Sequence, residues 1–553
     1  MMDANLGALL QRQAERLGPR VALRYPRDGL YHDVTWQDYA QRAAAGAALL
    51  AQAGIRPGDR VGLWSENRLE WLLADMAILT AGAVNVPAHS TLSPRQVEVQ
   101  FRHAEVSWLF LASEEQWRHL RPLLSDLPLR GVVLFDGQAQ DAWSWPAFLA
   151  RGLAAWPGHK AEIGRRLATV GRDDLATIMY TSGTTGNPKG VMLTHGNLLS
   201  NAESMLEGSG VSGDSVILGW LPLSHIYARL VDHYLHLEAG CVLCLAETAE
   251  TVLKNAAEVH PTSISGVPRF FEKVLAAVGP QRLRHVFGRR LQWLNSGGAP
   301  LPPAIARAYA DAGVLLLQGY GLTESSPVIS FNRRDANRIG TVGQAVPGVE
   351  IRIAADGEVL TRGPHVMKGY WKDPQATAEV LRDGWLHTGD LGYLDQDGYL
   401  TITGRKKDLI VLSNGKKVVP TEVENRLMAE PCIEQVVVFG EGKSYLTALI
   451  VPNLARLRAA LEKEGVFEAQ DERLVRHPRA IAYVQERVQA ALADAASWEK
   501  VQRFVLLPRP FSQDAGEMTV SLKLRRGVIA ERYRQQLQEL YAAKDFAADS
   551  PSD

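Results

Sequence analysis

Leu6, Leu9, Leu10 and Leu17 fall on one face of a 3.6-residue period and predict a helix at the start of the chain. Arg60-Val-Gly-Leu-Trp64 reads as a short buried strand, and the stretch from Trp71 to Thr80 returns to helix. This alternation, continuing to about residue 130, predicts a mostly parallel sheet covered by helices. Residues 134–170, with Trp143, Trp145 and Trp156, show a less regular pattern and are expected to be irregular. Strand–helix units resume from 175 to about 330. From about 340, short strands separated by glycine turns, such as Val349-Glu-Ile-Arg-Ile353 and Gly357-Glu-Val-Leu-Thr361, predict a β-rich subdomain reaching 404. The charged stretch Arg405-Lys-Lys-Asp408 then opens a new unit. There Asn414-Gly415 between Leu409–Leu412 and Lys416–Val419 signals a hairpin. Thr421-x-x-Glu424 reads as a capping box starting a helix. The expected fold class is α/β: a large N-terminal domain (1–404) of parallel-rich βαβ sheets, a linker at 405–408, and a small α+β C-terminal domain (409–553).

Composition narrows the function classes. A chain of 553 residues with 46% apolar and 22% charged residues is an ordinary globular protein of three or four folding units. A formal net charge of −1 argues against wholesale binding of nucleic acid or anionic membrane. The three cysteines, Cys241, Cys244 and Cys432, are too few and too odd in number for a disulfide framework. Cys241 and Cys244 sit in an apolar run without spaced histidines, so a buried strand is expected there rather than a metal site. The N-terminal stretch lacks signal-peptide features, and no uncharged apolar run approaches the roughly 18 residues of a membrane span. A cytoplasmic location is the expectation.

The strongest local signal is Tyr180-Thr-Ser-Gly-Thr-Thr-Gly-Asn-Pro-Lys-Gly190. An apolar strand precedes it and another follows. Three glycines allow a tight fold in which consecutive N–H groups converge on phosphate oxygens. Thr181, Ser182, Thr184 and Thr185 add hydroxyls, and Lys189 adds a charge. A Walker A loop is excluded by spacing: Pro188 stands where its second glycine belongs, and Gly190 follows the lysine in place of Ser or Thr.

This loop resembles the phosphate loop of the adenylate-forming superfamily, which holds acyl-CoA synthetases, peptide-synthetase adenylation domains and beetle luciferases. Further similar segments follow in that family's order. Gly297-Gly298-Ala299-Pro300 resembles the adenine-contacting turn. Gln318-Gly319-Tyr320-Gly321-Leu-Thr323-Glu324 resembles the next element, which implies Tyr320 against the adenine, Thr323 at the α-phosphate and Glu324, with Thr184, at Mg²⁺. Trp385-Leu-His-Thr-Gly-Asp390 and Gly404-Arg405 resemble the ribose-binding elements. A carboxylate that accepts two hydrogen bonds suits a diol. Leu221-Pro-Leu-Ser-His225-Ile-Tyr-Ala-Arg229 is similar to the segment whose histidine lies beside the acyl carboxylate. Arg229 stands near where some long-chain members carry a tryptophan gate; Tyr227 and Trp220 are the alternatives. Gly516-Glu-Met-Thr-Val-Ser-Leu-Lys523-Leu-Arg-Arg526 resembles the catalytic-lysine segment in its long-chain form.

The resemblance covers roughly residues 30–535. It implies an ATP-dependent, AMP-forming ligase that joins a fatty acid, on the long-chain branch, to CoA through an acyl-adenylate. In it Ser182, Gly183, Thr184, Thr185, Gly186 and Lys189 hold phosphate, and Lys523 and His225 assist the attack. A pivot at Lys407 turns the mobile C-terminal domain between two steps. ATP, Mg²⁺ and CoA are the implied cofactors. A fatty acyl-AMP ligase donating to a carrier protein is the second reading, and a non-catalytic acyl-adenylate-binding module is a remote third. Peripheral membrane contact is compatible with insoluble substrates, and oligomeric state is not legible.

Overall fold

The computed structural model describes residues 3–181, 188–512, 515–518 and 524–542. The chain divides into two compact units. The first comprises Met1–Arg352, Leu360–Thr388 and Leu394–Thr401, and the second comprises Ile353–Val359, Gly389–Tyr393 and Ile402–Asp553. The short strands between Glu350 and Arg405 are shared out between them.

The first unit is a mixed α/β body built on two large sheets. One has nine strands, with the parallel run Val216–Gly219, Ser263–Gly266, Trp293–Ser296 and Leu316–Gly321 at its centre. The other has eight, and its parallel strands include Val84–Ala88, Arg60–Trp64 and Val106–Ser113. The predicted strand at Arg60–Trp64 and the helix Leu69–Thr80 are both present. Helix Leu6–Leu17 buries the four leucines that signalled it. Cys241 and Cys244 are buried at the Val242–Leu245 strand, as expected.

Residues 134–170 depart from expectation. They hold the strand Val132–Asp136 and then a 25-residue helix, Trp145–Thr169, with Pro157 inside it. Only Trp145, Phe148, Gly152 and Ile163 are buried along this helix. That stripe is too narrow for a clear period, and Pro157 reads as a breaker. What holds the helix is close approach to helix Trp36–Gln52: a Cβ on Gly152 would lie 2.4 Å from the Ala45 carbonyl oxygen. The contact exists because both surfaces are small.

The second unit contains the hairpin Ile410–Val411 with Lys417–Val418, where Gly415 takes φ 79°. Its sheet has three strands: Ile433–Phe439, Leu446–Pro452 and Val501–Leu506. The capping box at Thr421 is not formed. Helix Pro420–Met428 begins two residues earlier than that box requires, with Val419 in the capping position, proline in its first turn and no side-chain cap. Glu424 instead turns inward, accepting from Val438 N at 2.8 Å and pairing with Arg526 at 2.7 Å. Among the described residues no helix is long and apolar enough to cross a membrane.

Candidate active site

The strand Leu175–Thr181 ends where the glycine-rich turn begins. The chain returns antiparallel as Lys189–Thr194, with Thr181 opposite Lys189. Ser182, Gly183, Thr184, Thr185 and Gly186 lie outside the described residues. The returning strand pairs on its other edge with Gly369–Tyr370, Tyr370 standing opposite Val191. Flanking bonds lock this register: Trp371 N donates to Gly190 O at 2.7 Å, and Lys368 N to Met192 O at 3.0 Å. The Lys189 ammonium consequently sits 4.9 Å from the Tyr370 ring centroid. The Tyr370 hydroxyl donates to Glu324 Oε1 at 2.9 Å. Cation, phenol and carboxylate from three distant segments meet here.

Glu324 is placed by a turn that admits only glycine at its entry. A Cβ on Gly321 would fall 1.7 Å from the Pro327 carbonyl oxygen, so the chain can fold back only without one. The one-turn helix Thr323–Ser325 follows, and the Ser325 hydroxyl accepts from Leu322 N at 3.0 Å. Met367 N donates to the Glu324 carbonyl at 2.9 Å. Gly319 and Tyr320 close the Leu316–Gly321 strand, opposite Phe331 and Ser330.

Gly298, Ala299 and Pro300 follow the strand Trp293–Ser296, with Gly298 at φ 78°. A Cβ on Gly297 would lie 2.8 Å from the Tyr227 ring, so this turn and Tyr227 pack directly. His225 is exposed and caps the short helix Ile226–Ala228, Nδ1 accepting from Tyr227 N at 3.2 Å. His225 and the glycine turn are thus joined through Tyr227. Burial pushes the Tyr227 phenol well above its ordinary pKa. Trp220 packs against Phe270 with the rings tilted by 40° and centroids 4.7 Å apart, and donates Nε1 to Ser265 O at 2.7 Å. Arg229 is fully buried and ion-paired with Asp75.

In the second unit, Arg405 Nε donates to buried Asp390 Oδ1 at 2.6 Å. Lys407 lies in the turn Lys406–Asp408, whose Lys406 pairs with Asp356 at 2.6 Å and Glu358 at 3.1 Å. Lys523 lies outside the described residues. The described candidates of the first unit thus fall into two clusters, Lys189 with Glu324 through Tyr370 and His225 with the glycine turn through Tyr227, while in the second unit Asp390 and Arg405 are paired.

Among the described residues no group of three or more His, Cys, Asp or Glu is arranged to hold a metal. Magnesium bound with a nucleotide asks for less: one or two carboxylates, the remaining ligands being phosphate oxygens and water. Glu324 fits that requirement. Sequence reasoning did not single out Tyr370 as a site residue, because its role depends on pairing with a strand far away in the chain. Asp75 was also missed, although a single carboxylate inside Leu72-Leu-Ala-Asp-Met-Ala-Ile78 is a legible anomaly.

Tyr370→Phe keeps the ring under Lys189 and removes the bond to Glu324. A hydrogen bond to a charged group contributes about 1.5–3 kcal/mol. Acid-dependent ATP–pyrophosphate exchange should fall roughly tenfold or more, while Tyr370→Leu, which also removes the ring, should fall further. Equal rates in the two variants would show that the ring does nothing for Lys189.

The family pattern described as AMP-binding enzyme matches residues 10–371, and that described as AMP-binding enzyme C-terminal domain matches 407–545. The long-chain-fatty-acid–CoA ligase FadD15 of Mycobacterium bovis is 33% identical, the match covering 93% of each chain. A chloroplastic long-chain-fatty-acid–[acyl-carrier-protein] ligase of Arabidopsis thaliana, AEE15, is 27% identical over 96% of this chain and 85% of its own. Among solved structures, ATP-bound MatB from Rhodopseudomonas palustris superposes with a TM-score of 0.77 at 25% identity, covering 97% of this chain and 100% of that one.

Proposed function

Since the chain belongs to the AMP-binding enzyme family, we propose that it is an AMP-forming acyl-CoA synthetase acting on a fatty acid of the long-chain class. ATP and the acid react to an acyl-adenylate and pyrophosphate, and the thiol of CoA then displaces AMP. The observation that carries this reading is the meeting of Lys189, Tyr370 and Glu324 beside the two ends of the glycine-rich turn.

The first step brings a carboxylate onto an already anionic α-phosphate, so the protein's work is positioning and charge neutralisation. Lys189, with the hydroxyls and amides of Thr181 to Gly186, holds the phosphates that leave. Tyr320 lies against the adenine beside Gly298, Ala299 and Pro300, and Thr323 contacts the α-phosphate. Asp390 accepts from the ribose hydroxyls, its geometry held by Arg405. His225 orients the acyl carboxylate, and Lys523 bridges it to the phosphate. Lys407 is the pivot between the two steps. Glu324, with Thr184, would hold Mg²⁺, which when bound neutralises phosphate charge.

The carrier-protein ligase among the relatives supports a second reading, in which the acyl group passes to a phosphopantetheine-bearing carrier. An acid panel from acetate to C20, with aromatic acids added and scored by AMP release with no thiol, CoA or a carrier protein, decides between them. Release stimulated by CoA and greatest with C12–C20 acids is expected. Stimulation by carrier alone selects the second reading, and absence of exchange with any acid refutes both.

A further inference from the structure

The strands Val216–Gly219, Ser263–Gly266 and Trp293–Ser296 run side by side, and residues two apart on each share a face. Ile217, Ser263 and Trp293 form one row on the face toward the Arg229–Tyr234 segment. The next row, at the carboxyl ends of the strands, is Gly219, Ser265 and Asn295. Ligands of open parallel sheets bind beyond such carboxyl ends. Here the row turns from bulky and largely apolar to small and polar.

Asp232 stands over this row. A Cβ on Gly219 would lie 3.5 Å from Asp232 Oδ2, and the side chain of Ser265 neighbours both the carboxyl and the Tyr227 phenol. Asp232 is fully buried, and apart from a weak interaction with the Ser265 hydroxyl neither of its oxygens has a hydrogen-bond partner among the described residues; Asn295 Oδ1 lacks one as well. The nearest cation along the chain, Arg229, is committed to Asp75 and to Thr177 Oγ1. His233 is held neutral by burial and by Arg229 beside it. A hydrocarbon chain laid over this row would leave each polar group unpaired, at about 1–3 kcal/mol apiece. Burial pushes the Asp232 carboxyl up to about 8, against the pull of Ser265, so at neutral pH it carries a proton. A protonated carboxyl both donates and accepts, as a hydroxyl does.

We propose that Asp232, with Ser265 and Asn295, recognises a hydroxyl group on the acyl chain, so that the preferred acid is a hydroxylated fatty acid rather than a plain one. The inference rests on the acyl-activating reading. Asp232 lies seven residues beyond His225 on the π-helical turn Arg229–Tyr234, somewhat less than the roughly 10 Å that seven residues span along an α-helix. With the acyl carboxylate at His225, the recognised hydroxyl is mid-chain.

The test is ATP–pyrophosphate exchange by the full chain with stearate, 10-hydroxystearate and 2-hydroxystearate. Wild type should show kcat/KM at least tenfold higher for 10-hydroxystearate than for either other acid. Asp232→Leu, which is bulkier but keeps the branched shape and is free of the unpaired carboxyl, should reverse the order by improving stearate and weakening the mid-chain hydroxy acid. Asp232→Asn, which still donates and accepts, should keep most of the preference. Stearate turned over as well as its 10-hydroxy counterpart by wild type overturns the inference and leaves the acyl-activating reading standing. No exchange with any of the three, nor with the wider panel, removes that reading and the inference with it.

Discussion

Lys523→Ala is expected to lose about 10²–10³ in acid-dependent ATP–pyrophosphate exchange, the scale of removing one transition-state charge donor. Two negative centres must approach in the adenylating step, and the long basic side chain in Leu522-Lys523-Leu-Arg-Arg526 is the one that the family resemblance puts between them. Thiolation makes less of this demand, because the thiol attacks the neutral carbonyl of the acyl-adenylate rather than an anionic phosphate, and the new negative charge forms on the AMP oxygen only as it leaves. Supplying the variant with preformed acyl-adenylate and CoA should therefore give thioester at close to the wild-type rate. Equal losses in the two half-reactions would remove Lys523 from its assigned role. Lys523→Arg separates charge from shape: a guanidinium keeps the charge but is planar and forked, so only partial recovery of exchange is expected.

Much of the fold was legible because its signals are local. The pattern of Arg60–Trp64 is that of a buried strand on its own, and Asn414-Gly415 needs only its own backbone to turn. The helix Trp145–Thr169 was not legible, since what stabilises it is a glycine facing the Ala45 backbone about a hundred residues earlier. Thr421 misled for a related reason: the spacing of a capping box was present, but Pro420 already occupied the first turn. For the site, Gly321 and Glu324 could be read from order and spacing, whereas the bond from Tyr370 to Glu324 depends on strand pairing that no local pattern encodes. Asp232 left a trace, a carboxylate in the otherwise uncharged run Leu230-Val-Asp-His-Tyr-Leu235, but only the structure shows it buried beside Ser265.

Arg229→Met is expected to destabilise the first unit by about 3–5 kcal/mol, the cost of leaving one member of a buried ion pair uncompensated. Asp75 is fully buried in the helix Leu69–Thr80 and is held by Arg229, by Asn85 Nδ2 at 2.6 Å and by the Tyr234 hydroxyl at 3.0 Å. His233 cannot replace the lost cation readily, since burial opposes its protonation. The network reaches further: Arg229 Nη1 donates to Thr177 Oγ1 at 2.9 Å, and Thr177 lies on the strand that leads into the glycine-rich turn. The segment after His225 and the strand before the phosphate loop are therefore tied by one guanidinium. The double variant Asp75→Leu/Arg229→Met, which removes both charges, should recover much of the lost stability, because a matched apolar pair carries no desolvation penalty. Urea unfolding midpoints of the three proteins read this directly. A single variant within about 1 kcal/mol of wild type, or a double variant no better than the single, would mean that the pair does not hold these elements together. If it does hold them, the stabilised double variant should still exchange pyrophosphate more slowly than wild type, because the polar tie between the two segments has been removed along with the charges.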